Sequence, residues 1–351
     1  MSMTPKERVI AQINHKKTDY LPYVIRFERD YDIEARVDAY YGSNHWQDLL
    51  ENHIARIRVI SDNFWTLKPD TPEYWTDLFG TTWRMHPRPR QPVEPALKEP
   101  SLEKYKFPTI DDCFDVGWEE LAERGIQANQ DRFIIAYIGN GLFERSWMMR
   151  GYKEALMDIA LYRDFYEELV ENIMLLQMQM LERILQLPID GIFFTDDWGY
   201  QQGVMVGAKR WREIFKPRYT QMFKQVHEAG KNTLLHCCGS IEEILPDAIE
   251  IGLDVYESVQ PEAKNNNPYD LKCKYGGQIT FWGGLGSQSI IPFGTPDDIR
   301  NEVKRLCQEL GHGGGYILAP AKPIQPETPV ENIIAILESF LEQAGTSLPG
   351  K

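Results

Sequence analysis

The strongest constraint on the fold is an alternation that runs through the last two-thirds of the chain. Short runs rich in β-branched and aromatic residues recur at FIIAYI (133–138), GIFFT (191–195), TLLH (233–236), LDVYES (253–258), ITFWGG (279–284) and GYILA (315–319). Between them lie stretches with helical spacing of apolar residues, such as KEALMDIALYRDFYEELVENIMLLQMQMLERILQL and AKRWREIFKPRYTQMFKQVHEAG. Strand and helix in alternation imply parallel strands joined by crossover helices. VIRF (24–27) and RVISDNF (58–64) bring the predicted strands to eight, the number of an α/β (β/α)8 TIM barrel. An open doubly wound sheet is the competing arrangement, but no G-x-G-x-x-G turn opens a helix. The length of 351 residues suits a single barrel domain over 1–351. One stretch breaks the rhythm. Residues 70–108 include RMHPRPRQPVEPALKEP, whose prolines at 87, 89, 92 and 95 forbid regular helix, so an irregular excursion or lid is predicted.

Charge narrows the partners. Thirty-eight basic against 52 acidic residues leave a net charge of -14, a field that repels nucleic acid and anionic lipid. It also disfavours a polyanionic substrate unless the site itself is locally basic. The opening MSMTPKERVIAQINHKK is polar, so no secretory signal is expected, and no apolar run is long enough to span a bilayer. A cytoplasmic protein with reduced thiols is the expectation. A homodimer is the candidate assembly.

In a barrel, chemistry sits at the carboxyl ends of the strands. The polar residues there are Asn140 and Glu144, Asp196 and Asp197, His236 with Cys238, Glu257 and Gln260, Ser287, and Lys322. LLHCCGS (234–240) is the sharpest motif. Side chains two apart on an extended segment point the same way, so His236 and Cys238 can share one ion, and imidazole with thiolate is the usual zinc donor pair. The plain alternative is a buried cysteine beside a hydrogen-bonded histidine. Cys237 should face the core, and Cys273 and Cys307 read as packing residues. In FFTDDWGYQQG (193–203), Asp196 and Asp197 should face opposite ways. Asp197 is then the site residue, as proton carrier or metal ligand, and the competing role is a cap on the helix beginning near AKRWRE. In GNGLFERSWMMRG (139–151), Glu144 and Arg145 could pair, and Trp147, Met148 and Met149 could line an apolar pocket or simply fill the core. Arg26 could bind a substrate carboxylate or form a surface ion pair, and Lys322 could anchor an anion or be a solvated loop lysine.

The strings LFERSWMMRG, FTDDWGYQQG, WREIFKPRY, LLHCCGSI, ITFWGGLGSQ and GGGYILAPAKPIQPETPVENI together resemble the uroporphyrinogen decarboxylase superfamily, from about Arg132 onward. The resemblance implies a (β/α)8 barrel and one of two chemistries. True decarboxylases of the superfamily carry an R-Q-A-G-R-Y string near the amino terminus, where this chain has YLPYVIRFERDY with only Arg26 in place. The cobalamin-dependent methyltransferase branch carries H-x-C-G, matched here by His236, Cys238 and Gly239. Its third zinc ligand is a cysteine in a late A-P-G-C-G-I-x-P segment, where this chain has Lys322.

The resemblance therefore implies a zinc-dependent methyltransferase. Zn²⁺ would sit on His236 and Cys238 with Asp197 or Glu257 as an acidic third ligand. The methyl group would pass between a small substrate (a methoxylated aromatic or a thiol) and cobalamin on a separate corrinoid protein, since the chain has no D-x-H-x-x-G cobalamin motif. Trp147, Trp198 and Trp282 would wall an apolar substrate, with Asn140, Glu144, Gln260 and Arg26 as further contacts. The alternatives are a metal-free decarboxylase of a carboxylated pyrrole or aromatic, using Arg26, Asp197 and Lys322, and a barrel that only binds a ligand.

Overall fold

The structure, a computed structural model, describes residues 2–29, 31–60, 68–69, 71, 73–86 and 90–348. Its centre is a curled seven-stranded sheet in the order β1 (Ile54–Ile57), β6 (Phe133–Ile138), β7 (Gly191–Thr195), β10 (Asn232–His236), β11 (Val255–Val259), β12 (Thr280–Leu285) and β13 (Tyr316–Pro320). Every neighbouring pair in it is parallel. β7, β11, β12 and β13 are buried along their whole lengths, as expected when both faces of a parallel strand are covered. One face carries alternate residues into a shared interior: Ile54, Phe133, Ile135, Phe193, Leu234, Val255, Trp282 and Ile317 pack there with Val9 of the helix Pro5–Ile13. The other face meets the helices. The longest, Arg163–Ile184, buries Tyr166, Leu169, Val170, Ile173, Gln177, Met180, Leu181 and Ile184, a stripe at three- and four-residue spacing.

Six predicted strands fall within two residues of observed ones; the first two need correction. VIRF (24–27) is not a regular strand. It forms isolated parallel bridges, Tyr23 to Leu318 and Phe27 to Ile324. Pro22 offers no N–H, and on the opposite side the Asn52 side chain replaces a ladder, accepting from the Ile25 N–H at 2.7 Å and donating to the Ile25 carbonyl at 3.0 Å. The second strand is Ile54–Ile57, ahead of the predicted 58–64, of which 61–64 lie outside the described residues. The two long helical stretches are each broken. Tyr162 leaves helical geometry between Tyr152–Leu161 and Arg163–Ile184, and Pro217 opens a new helix at Lys216–Glu228 after Ala208–Ile214.

The excursion is more ordered than its prolines suggested. β2 (Lys68–Pro69), β3 (Tyr74–Thr76), β4 (Thr82–Arg84) and β5 (Gln91–Glu94) form an antiparallel sheet of four strands. Pro92 lies in β5 at the edge of that sheet, where a missing N–H costs no ladder bond, while Pro87 and Pro89 lie outside the described residues. A short antiparallel pair, β8 (Gly199–Tyr200) and β9 (Gly203–Val204), follows β7 at the mouth of the curled sheet. Among the described residues, no helix is long and apolar enough to cross a membrane.

Candidate active site

Three strand ends meet in register: Thr195 of β7 lies beside His236 of β10, which lies beside Glu257 of β11. Continuing the two-residue period of Leu234 and Val255, the His236 and Glu257 side chains face the interior of the curled sheet. His236 Nδ1 bonds Glu257 Oε2 and Glu257 Oε1 takes a guanidinium N–H of Arg26, both contacts very short. The other ring nitrogen, Nε2, faces Cys238 Sγ at 3.2 Å and Asp197 Oδ1 at 3.9 Å. Donor atoms of Asp197, His236 and Cys238 all lie within 4.8 Å of one another. That places an oxygen, a nitrogen and a sulfur around one point.

Backbone geometry builds this point. Cys238 donates its N–H to Asp197 Oδ1 at 2.9 Å, so the carboxylate at the site also fixes the cysteine's backbone. Gly239 takes φ +72°, and a Cβ there would come within 2.7 Å of the Tyr200 backbone. The glycine after the cysteine is thus required twice, for its conformation and for the close approach of β8. Its N–H donates to Gln260 Oε1 at 2.8 Å. Beside Glu257, the ladder shifts register at Ser258, a buried residue at φ +75° whose hydroxyl donates to the Ala321 carbonyl at 2.8 Å. That bond, with Lys322 N–H to Ser287 Oγ at 2.9 Å, brings Lys322 over the site, where its ammonium meets Cys238.

The electrostatics follow from burial plus pairing. Burial opposes charge on Glu257, but His236 and the guanidinium groups of Arg26 and Arg56 outweigh it and hold the carboxyl down to about 2. Burial likewise opposes charge on His236, and the Glu257 carboxylate reverses it, holding the imidazole's proton well above its ordinary range. Lys322 is raised for the same reason, Cys238 and Asp197 outweighing burial. Glu144 goes the other way. Burial, then the charges of Asp197 and Asp196, push its carboxyl well above the usual range.

The paired aspartates divide their work. Asp196 is fully buried and accepts from the N–H groups of Phe143 (3.0 Å) and Glu144 (2.8 Å), from Tyr219 OH (2.7 Å) and from Trp198 Nε1 (2.9 Å). It is a cap, but on the helix Leu142–Arg150 rather than the one near 208, and it reaches that helix from a different strand. Gly141 permits this, since a Cβ there would lie 2.5 Å from Asp196 Cβ.

Several expected contacts fall elsewhere. Trp198 is 1% exposed and packs edge-on against Trp211 and Tyr219, so it is core and not a substrate wall. Trp282 is fully buried in the sheet interior beneath Arg26. Trp147 is half-buried against Tyr152, and Met148 and Met149 are core. Arg145 pairs with Asp77 at 3.3 Å, not with Glu144. Asn140, half-buried at φ +46°, is held through its backbone by Thr195 and Gln177. Cys273 is exposed, because its helix turns Leu271 inward. Arg56 was not among the residues expected at the site. It shares the parity of Ile54 on β1, so it faces the interior, stacking over Phe193 at 4.3 Å. That parity was the available signal, concealed because the strand was placed four residues too late.

A curled parallel sheet that gathers carboxylate, imidazole and thiol at its carboxyl ends belongs to the class of α/β proteins with their site on that face. Within that class, the chain belongs to the uroporphyrinogen decarboxylase (URO-D) family, whose model matches residues 134–342, more than half the chain. A methylcobamide:CoM methyltransferase MtaA of Methanosarcina barkeri (strain Fusaro / DSM 804) is 32% identical over 127 residues, 36% of this chain and 35% of that protein. A second Methanosarcina barkeri protein of that name is 32% identical over 133 residues, 38% and 36% of the two chains. The aligned stretch therefore spans about a third of these curated relatives. A solved methyltransferase from Methanosarcina mazei shares the fold, with a TM-score of 0.69, 18% identity, and 97% of this chain and 99% of that chain covered.

Proposed function

We propose that this protein is a methyltransferase that moves a methyl group between a small substrate and a cobalamin carried by a separate corrinoid protein. The observation that carries the reading is the convergence of Asp197, His236 and Cys238 at one strand-end point, with His236 set by Glu257. Both M. barkeri relatives are named methylcobamide:CoM methyltransferases, which supports the reaction class. The bridged segment 22–28 would then fill the eighth position of a closed barrel, and the protein would work in the cytoplasm.

The donor set suits zinc. One carboxylate, one imidazole and one thiol leave a position open, as catalytic zinc sites do. Zn²⁺ held by Asp197, His236 and Cys238 would supply Lewis acidity to the oxygen or sulfur that bears the methyl group. Glu257 stands outside that set, because both its oxygens are committed, one to His236 and one to Arg26. Its work is orientation: by holding Nδ1 it leaves Nε2 facing Cys238. Arg26 keeps Glu257 ionised. Lys322 stands where relatives of the methyltransferase branch carry a cysteine, and its ammonium faces Cys238. Glu144 keeps a proton beside Asp197 and can deliver it to a leaving oxygen. The metal-free decarboxylase alternative loses its main carboxylate anchor, since Arg26 is engaged by Glu257.

The test is elemental analysis of purified protein, with methyl transfer from 3-methoxybenzoate to a Co(I) corrinoid protein followed by cobalt absorbance. Near-stoichiometric zinc and turnover, both lost in His236→Ala/Cys238→Ala, are expected. Glu257→Gln should weaken zinc binding or rate by about 10–100-fold. Protein that takes up no zinc on reconstitution, or a double variant with unchanged methyl transfer, would overturn the reading.

A further inference from the structure

Lys322 follows β13 in a loop whose backbone is closely held. Pro320 and Pro323 flank it, and the second of these narrows the backbone of Lys322 itself. The Ala321 N–H donates to the Leu285 carbonyl at 2.9 Å, the Ala321 carbonyl accepts from Ser258 Oγ at 2.8 Å, and the Lys322 N–H donates to Ser287 Oγ at 2.9 Å. Ala321 is fully buried, and Ser258 makes its bond from a buried position at φ +75°, a conformation that is strained for a residue with a Cβ. Bonds from β11, β12 and the turn after β12 thus fix the root of a half-buried side chain.

The tip of that side chain meets a thiol. The ammonium is hydrogen-bonded to Cys238 and lies in the field of Asp197 and Glu257, and Cys238 and Asp197 outweigh burial, so the charge is kept. Among the described residues, no ion pair joins it to a carboxylate. Donor atoms of Asp197, His236 and Cys238 lie within 4.8 Å of one another, and the thiol among them is the group that the ammonium faces. A charged ammonium has N–H donors and no lone pair, so it cannot join a donor set for an ion. It competes for the same negative atoms.

We propose that Lys322 is a tethered counter-cation of the metal site: it neutralises the Asp197–Cys238 pair when no ion is bound, opposes Zn²⁺ for those two groups, and so keeps the metal exchangeable. This inference rests on the zinc reading of the Asp197–His236–Cys238 point and adds how that point is loaded and emptied. By Coulomb's law, a divalent ion arriving among imidazole, thiolate and carboxylate is repelled by the charge already there, in a half-buried setting that salt screens weakly. Either the ammonium withdraws and gives up its contact with Cys238, or it stays and repels the ion. Both lower the affinity. The bonds at 321 and 322 are made by the backbone, so the flexible four-carbon stem can swing without breaking them. A lysine that merely braced the site would act the other way, since its loss would loosen the donor atoms and weaken zinc binding.

Zinc affinity of the metal-stripped full chain, measured by competition with a chromophoric chelator, tests this without any methyl transfer. Lys322→Met keeps a long stem and removes the charge. It is expected to bind zinc about tenfold or more tightly than the wild type, and to release it more slowly into excess EDTA. Lys322→Arg, which keeps the charge, should bind zinc as weakly as the wild type. At a fixed zinc concentration the rise in melting temperature should be larger for Lys322→Met, because tighter binding stabilises the folded state more. If Lys322→Met folds poorly, Lys322→Gln makes the same comparison. A neutral variant that binds zinc no more tightly than the wild type overturns the proposal and leaves the metal reading standing. Zinc bound by none of these proteins overturns both.

Discussion

At the scale of residues, the chain shows how two identical neighbours acquire different chemistry. Asp196 and Asp197 lie at the end of β7 and turn opposite ways. Asp197 meets His236 and Cys238, while Asp196 enters the core and satisfies two backbone N–H groups, a tyrosine and an indole. Burial raises the Asp196 pKa to about 6, its four donors offsetting only part of that cost. Asp196→Ala would orphan all four donors in a dry site. We expect a loss of at least about 3 kcal/mol in urea unfolding, with Asp196→Asn losing less because it keeps an acceptor. The opposite facing of the pair was legible, since it depends only on strand geometry. Which helix Asp196 caps was not, because that partner lies some fifty residues earlier in the chain.

At the scale of elements, the seam between segment 22–28 and β1 turns on His53. Its N–H donates to the Tyr23 carbonyl at 3.1 Å, its carbonyl accepts from Phe133 N–H at 3.0 Å, and its ring packs edge-on against Tyr20 and Tyr23. Burial, reinforced by the Arg8 charge, lowers its pKa from 6.5 to about 4. The folded protein therefore binds fewer protons than the unfolded chain between those values. Stability is fully present above about pH 6.5 and falls as pH drops towards 4, by on the order of 3 kcal/mol from this group. Unfolding midpoints for wild type and His53→Gln should diverge at pH 7.5 and converge towards pH 4, because the variant lacks this acid-linked loss. Parallel midpoints at all pH values would show that His53 does not carry the linkage. No local pattern announces such a seam, since the segment it joins contains a proline and pairs by bridges and an asparagine side chain.

At the scale of the whole molecule, a buried ion pair helps anchor the proline-rich excursion to the core. Asp77 accepts from Phe79 N–H, Thr81 N–H and Trp83 Nε1, each within 3.0 Å, and meets Arg145 of the helix Leu142–Arg150 at 3.3 Å. Thr81 Oγ1 adds a bond to the Met148 carbonyl at 3.1 Å. Asp196 caps the same helix at Phe143 and Glu144, next to Arg145, so the excursion and the strand-end site are tied to a common element. Arg145→Met leaves a buried carboxylate unpaired, and breaking such a pair typically costs about 3–5 kcal/mol. Limited proteolysis of this variant should cut first within 68–94, ahead of the parallel sheet; cleavage elsewhere would mean the excursion is held by other contacts.

The local period of the chain was enough to specify parallel strands joined by helices, the same-side placement of His236 and Cys238, and the glycine after them. Even there, VIRF and the second strand were misplaced where proline and a short apolar run blurred the period. Long-range packing settled the remainder. It set Asp197 near Nε2 of the imidazole and the thiol, tied Glu257 to Nδ1 and to Arg26, moved Trp198 and Trp282 into the core, and left Arg56 stacked over Phe193. The reason is physical. Side-chain direction along a strand is set by its own backbone, whereas contacts between strands depend on register and curl, which arise from packing among residues far apart in the chain.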